Sequence, residues 1–222
     1  MDNTWVRQIQ NIQPKKVYSQ FGEEPYFDFI FKNIGIINHY LVDFGAGGLG
    51  SQMSNSRYLM EQGWTGLRMD GCPDPDTDIK QEFITSENII ELFEKYKVPK
   101  RFDFLSIDVD GNDYHILKKI FDAGYKPQLI VAEFNGCIPE NESRAIAYNP
   151  NHTWSENDYY GFSFLAGKKL TSQNGYSLIH QVASTNMYFV LDDLLGGHTD
   201  YGVSYKRHQY HAHAPNKAWV NI

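Results

Sequence analysis

Asp43 stands two residues before the first glycine of Asp43-Phe44-Gly45-Ala46-Gly47-Gly48-Leu49-Gly50. Roughly 20 residues past that turn, the spacing at which a ribose-binding acid is expected, Trp64-Thr65-Gly66-Leu67-Arg68-Met69-Asp70 ends in a second carboxylate. A glycine turn between a strand and a helix lets backbone approach a nucleotide-type cofactor closely. The charge selects which cofactor. A carboxylate at Asp43 repels a pyrophosphate, whereas S-adenosylmethionine has no phosphate and carries an ammonium and a sulfonium. Asp43, Gly45 and Gly47 are therefore assigned to such a cofactor, with Asp70 accepting from its ribose hydroxyls and Gln20 a weaker candidate for its polar end.

A second set lies further along. Asp108 closes one apolar run, and Glu133 and Asn135 close the next. Open α/β sheets bind ligands at the carboxyl ends of their strands, so these three side chains are expected to converge. Oxygen donors of this kind suit Mg²⁺ or Mn²⁺, which would acidify a coordinated hydroxyl. The competing reading is metal-free: Asp108 contacts the amino-acid end of the cofactor, while Glu133 and Asn135 bond backbone or sugar hydroxyls. His180 and His115 are candidate bases, although a lone histidine on a strand or helix is more often structural. Asp108-Val109-Asp110-Gly111-Asn112-Asp113 fails as a calcium loop, because its glycine is misplaced and Lys119 occupies the closing position. Asp110, Asn112 and Asp113 read as a turn and helix cap.

The elements that must hold these groups alternate. Strands are predicted at Tyr40–Phe44, Gly66–Asp70, Ile79–Phe83, Phe102–Asp108 and Gln128–Glu133, with helices over Tyr26–Asn33, Asn55–Gln62, Glu87–Lys97 and Asp113–Ala123. Ser86 is the expected cap of the third. After the fifth strand the alternation stops. Residues 136–160 are rich in Asn, Pro, Glu and aromatics, too long for an ordinary connection, and read as a substrate lid. A helix over Phe162–Thr171 and a hairpin, Tyr176–Val182 with Met187–Leu191, follow. The fold class is thus α/β, a Rossmann-like, mostly parallel doubly wound sheet with a C-terminal antiparallel hairpin. One domain spans 1–222: a helical segment 1–38, a core 39–193 and a tail 196–222. His208, His211 and His213 in that tail read as a solvated terminal segment, since no acidic or thiol partner accompanies them.

Composition narrows the function. The 222 residues are 41% hydrophobic and 15% aromatic, with formal net charge −7 and no basic block, which argues against a nucleic-acid partner. Mean hydropathy of −0.49 and the lack of a long apolar run argue against a membrane. Residues 1–7 lack a secretory layout, so a cytoplasmic location is expected. Cys72 and Cys137 read as reduced bystanders.

Several phrases, in this order, resemble the FkbM-type family of S-adenosylmethionine-dependent O-methyltransferases, which act on sugars and glycosylated natural products. They are Tyr18-Ser19-Gln20-Phe21-Gly22-Glu23-Glu24, the turn from Asp43 to Gly50, Gly63-Trp64-Thr65-Gly66-Leu67, Phe104 to Tyr114, Ala132-Glu133-Phe134-Asn135 and Asp158-Tyr159-Tyr160-Gly161. The family usually has Gly-Glu-Asp where this chain has Gly22-Glu23-Glu24, and often glutamate at Asp70; both changes keep the charge. The resemblance implies a class I methyltransferase fold and methylation of a hydroxyl on a sugar or glycan, with a deoxyhexose such as rhamnose following family habit. Trp154 and the tyrosines of the lid then suit stacking on sugar faces or covering the cofactor. Two rivals are a methyltransferase for another small molecule or RNA, and a module that binds the cofactor without catalysis.

Overall fold

The computed structural model describes residues 3–47, 53–73, 78–208 and 211–222. Nine strands run β1 (Tyr40–Phe44), β2 (Thr65–Asp70), β3 (Lys80–Gln81), β4 (Arg101–Ile107), β5 (Lys126–Glu133), β6 (Arg144–Ile146), β7 (Tyr176–Val182), β8 (Asn186–Leu191) and β9 (Trp219–Asn221) among the described residues. Five α-helices are interspersed: α1 (Glu24–Ile34), α2 (Arg57–Glu61), α3 (Ile89–Lys95), α4 (Asp113–Asp122) and α5 (Phe164–Gln173). A 3-10 helix, Thr4–Asn11, precedes them.

Seven strands form one sheet in the order β3-β2-β1-β4-β5-β8-β7. The pairings from β3 to β5 are parallel, and β8 runs antiparallel to both β5 and β7. The architecture is Rossmann-like, with the expected hairpin turned so that its second strand enters the sheet and its first becomes the edge. Parallel strands need cover on both faces, and successive residues serve alternate faces. In β5, Leu129 and Val131 face one core, shared with Phe27 and Ile30 of α1, while Ile130 and Ala132 face the other, shared with Phe93 of α3 and Ile116 of α4.

Residues 136–160 are pinned in place. Asn112 Nδ2 donates to the Asn149 carbonyl at 2.8 Å, and Asn135 Nδ2 donates to the carbonyls of Asp158 and Tyr160 at 2.8 and 2.9 Å. The tail is likewise built in, which corrects the solvated segment expected there. β9 pairs antiparallel with β6, and Asp158 accepts from the Ala214 amide at 2.7 Å. His208 is 7% exposed; its Nδ1 lies 3.0 Å from the Ser184 carbonyl and its Nε2 lies 3.2 Å from the Tyr160 hydroxyl. No helix among the described residues is long and apolar enough to cross a membrane.

Candidate functional site

Strand order reverses between β1 and β4, and a crevice opens outside the carboxyl ends of strands at such a point. Gly45 has φ 72°, and a Cβ there would lie 2.0 Å from the Asp108 carbonyl, so only glycine lets the β1 turn meet the end of β4. Gly47 packs on Asp70, whose Oδ2 accepts from the Gly47 amide at 3.1 Å while Oδ1 accepts from the Cys72 amide at 2.7 Å. Asp70 therefore orders the turn and retains lone pairs for a ligand. Gly48, Leu49 and Gly50 of the predicted turn lie outside the described residues.

A cavity of about 580 Å³ occupies this point. Gly45, Asp70, Asp108, Asp110 and Glu133 wall it from the strand ends. Gln20 and Phe21 enter from a loop that Glu24 holds by accepting from the Tyr18 and Ser19 amides at 2.6 Å. Trp154 and Tyr160 come from the segment after β5, and His208 and His211 from the tail. His211 packs edge-on to Trp154 and Tyr160 at ring separations of 5.0 and 5.6 Å. A side pocket of about 170 Å³ shares Gly45, Asp70, Asp108 and Asp110 and adds Glu82, Phe83 and His152.

The walls are acidic and, among the described residues, carry no lysine or arginine. Asp108, Asp110 and Glu133 each offer a carboxylate oxygen, all within 4.8 Å of one another. Burial, then the charges of Asp110 and Asp113, lifts Asp108 well above the carboxylate range. Burial, then Asp108, does the same to Glu133. Asp110 is pushed up to about 6 by burial, with Asp113 and Asp70 adding to it. Glu133 Oε2 is buried and has no hydrogen-bond partner among the described residues. A shared proton or a bound cation relieves such crowding, and Asp108, Asp110 and Glu133 are the residues that can hold a metal.

Four expected site residues stand elsewhere. Asp43 does not line either pocket: it is 2% exposed, its Oδ2 accepts from the hydroxyls of Ser56 and Ser54, and Arg68 Nε donates to Ser56 Oγ at 3.1 Å. A buried carboxylate needs such donors, so Asp43 fixes the approach to α2. Asn135 is corrected as metal ligand and catalytic group. It is fully buried, both its donor hydrogens go to residues 158 and 160, and its Oδ1 accepts from the Cys137 amide at 3.0 Å. Asp110, which reads in sequence as a turn residue, takes its place in the cluster. His180 is corrected as a base for this site: it lines a different cavity, at the β7 edge. His115 is structural, with Nε2 2.9 Å from the Ile146 carbonyl.

Asp113 does serve the turn, accepting from the Val109 and Gly111 amides at 2.8 and 2.9 Å. Gly111 is required by His152, whose Cδ2 would lie 2.3 Å from an added Cβ. Sequence reasoning missed His208 and His211; the cluster of three histidines near the C-terminus was the available signal, and its partners come from the distant segment 154–160. Neither a scan against family models nor a search of curated proteins finds a match to this chain.

Proposed function

We propose that this chain is an S-adenosylmethionine-dependent O-methyltransferase that methylates a hydroxyl of a sugar or glycan. One observation carries the reading. The cavity at the strand-order reversal is walled by Asp70, Asp108, Asp110 and Glu133 without a described lysine or arginine, which disfavours phosphorylated carriers and favours a ligand bearing an ammonium and a sulfonium. The resemblance to the FkbM-type family and the strand order, with one antiparallel strand beside β5, support the same class.

Asp70, at the end of β2, orders the glycine turn and on this reading accepts from the ribose hydroxyls. Bound there, S-adenosylmethionine supplies an electrophilic methyl group. Asp108 would meet the cationic end of the cofactor, and Glu133, in its ionised form, would take the proton of the acceptor hydroxyl. Trp154 and Tyr160 provide aromatic faces for a sugar ring, and His208 and His211 close the wall beside them. A divalent cation fits the same cluster, held by Asp108, Asp110 and Glu133, and its chemistry would be to lower the pKa of the acceptor hydroxyl.

The test is incubation of the full chain with S-adenosylmethionine and a panel of free sugars, glycosides and RNA, read by mass spectrometry. A gain of one methyl on a carbohydrate is the expected result, suppressed by EDTA and restored by Mg²⁺ or Mn²⁺ if the cation is bound. Methylation of RNA alone, or no transfer to any acceptor, retires the sugar reading; full turnover in excess EDTA retires the metal.

A further inference from the structure

A second cavity, of about 520 Å³, opens where the edge strand β7 meets the 3-10 helix and the tail. It shares no lining residue with the acidic site. Its charged lining residues are Arg7 and Lys206, without a carboxylate, in a protein whose net charge is −7. Both side chains are exposed, and neither forms an ion pair among the described residues.

The backbone is shaped toward this cavity. Strand alternation places Ile179 and His180 on opposite faces, but β7 has a register shift between Leu178 and His180. A bulge of this kind re-aims the side chains that follow it. Ile179 and Val182 both pack in the core on the α1 face, and the His180 ring lies against Tyr26 of α1 at 4.8 Å and against Tyr188 at 6.0 Å. His180 thus faces the same side as Ile179. Its ring nitrogens have no hydrogen-bond partner among the described residues. Burial, with Lys206 adding to it, holds its pKa down to about 4, so the imidazole is neutral at working pH and offers one donor and one acceptor. Tyr201 belongs to the same wall, and its hydroxyl is buried and without a hydrogen-bond partner among the described residues. Gln181, by contrast, is already spent on the tail, donating to the Ala183 and Lys206 carbonyls and accepting from the Lys206 amide at 3.3 Å. Polar groups held in a cavity without partners mark a place where a ligand completes the hydrogen bonding.

We propose that this cavity is a binding site for a small organic anion, its carboxylate or phosphate gripped by Arg7 and Lys206 and its polar body hydrogen-bonded by His180 and Tyr201. Arg7 supplies the planar fork that suits either anion, and Lys206 a point charge. The site is independent of the methyl-transfer reading.

The test is nuclear magnetic resonance of the full chain labelled in histidine, with the His180 imidazole signal assigned by His180→Gln. Inorganic phosphate and succinate are titrated separately at constant pH against sodium chloride of matched ionic strength. A saturable shift of the His180 signal with phosphate or with succinate, absent with chloride, is expected, and the anion that saturates identifies the headgroup. Arg7→Gln and Lys206→Gln lie on the surface and leave the fold intact; each should weaken binding by about tenfold, the cost of one charge-assisted contact. Should neither anion move the signal beyond chloride, or both variants titrate like the parent chain, the site is only a solvated basic patch.

Discussion

The two large cavities carry opposite charge. The one at the strand ends is walled by Asp70, Asp108, Asp110 and Glu133; the one at the β7 edge has Arg7 and Lys206. Sorting of this kind within one chain runs against self-neutralisation, since carboxylates set side by side cost free energy that pairing with a nearby lysine would remove. The acidic cavity stores that cost at strand ends, where a doubly wound sheet receives its ligand. The basic cavity lies beside a local defect, the bulge in β7, and is walled as well by the 3-10 helix and the tail.

The contrast fixes opposite responses to acid. In the ligand-free protein, Asp108, Asp110 and Glu133 have raised pKa values, against about 4 in an unfolded chain. The folded state therefore binds protons first as pH falls, and this cavity stabilises the fold on going from neutrality toward pH 4. His180 does the reverse. Its value of about 4 lies below the ordinary 6.5, so the unfolded chain binds the proton first and stability is lost between those limits.

The largest expected effect comes from neutralising the acidic cavity. Glu133→Gln should lower methyl transfer by roughly a hundred- to ten-thousandfold, the range for a lost general base. In the same variant the ligand-free protein should be more stable in a urea melt at pH 7, because a carboxyl whose charged form is disfavoured by burial and by Asp108 is replaced by a neutral amide. Unchanged turnover would remove Glu133 from the reaction, and a loss of stability would mean that the cluster is not repulsive. The smaller effect belongs to the basic cavity. His180→Phe keeps the ring against Tyr26 and removes the titration, so melts at pH 7 and pH 4.5 should differ less than in the parent chain, by up to roughly 3 kcal/mol. An identical pH slope in both proteins would show that His180 is protonated as readily folded as unfolded.

Most of the sheet was legible because its central strands are buried on both faces and read as largely apolar runs, unbroken in Leu129–Ala132 and interrupted only by Asp103 and Ser106 in Phe102–Ile107. The predicted third strand, Ile79–Phe83, shrinks to Lys80–Gln81 at the sheet edge, where Phe83 is 50% exposed and only one neighbour pairs. The start of α3 was placed early: Thr85 and Asn88 bond one another's amides reciprocally, and the helix begins at Ile89 in place of a cap at Ser86. Gly45, Gly47 and Asp70 were readable because turn chemistry is local. Asn135 was misassigned because position after a strand does not tell which way a side chain turns, and its partners at 158 and 160 are set by tertiary packing. The tail was misread for a related reason. β6 and β9 are three-residue strands far apart in sequence, with no local signal of their pairing. The bulge that turns His180 toward α1 has no sequence signature at all.

Calorimetric titration of the ligand-free chain with S-adenosylmethionine, S-adenosylhomocysteine, NAD and ATP tests the cofactor assignment most directly. Binding of the first two and not of the phosphorylated pair is expected, weakened by about 1–3 kcal/mol in Asp70→Ala, the cost of losing hydrogen bonds to a charged acceptor. Retention of NAD or ATP by a protein that ignores both sulfur ligands would contradict it.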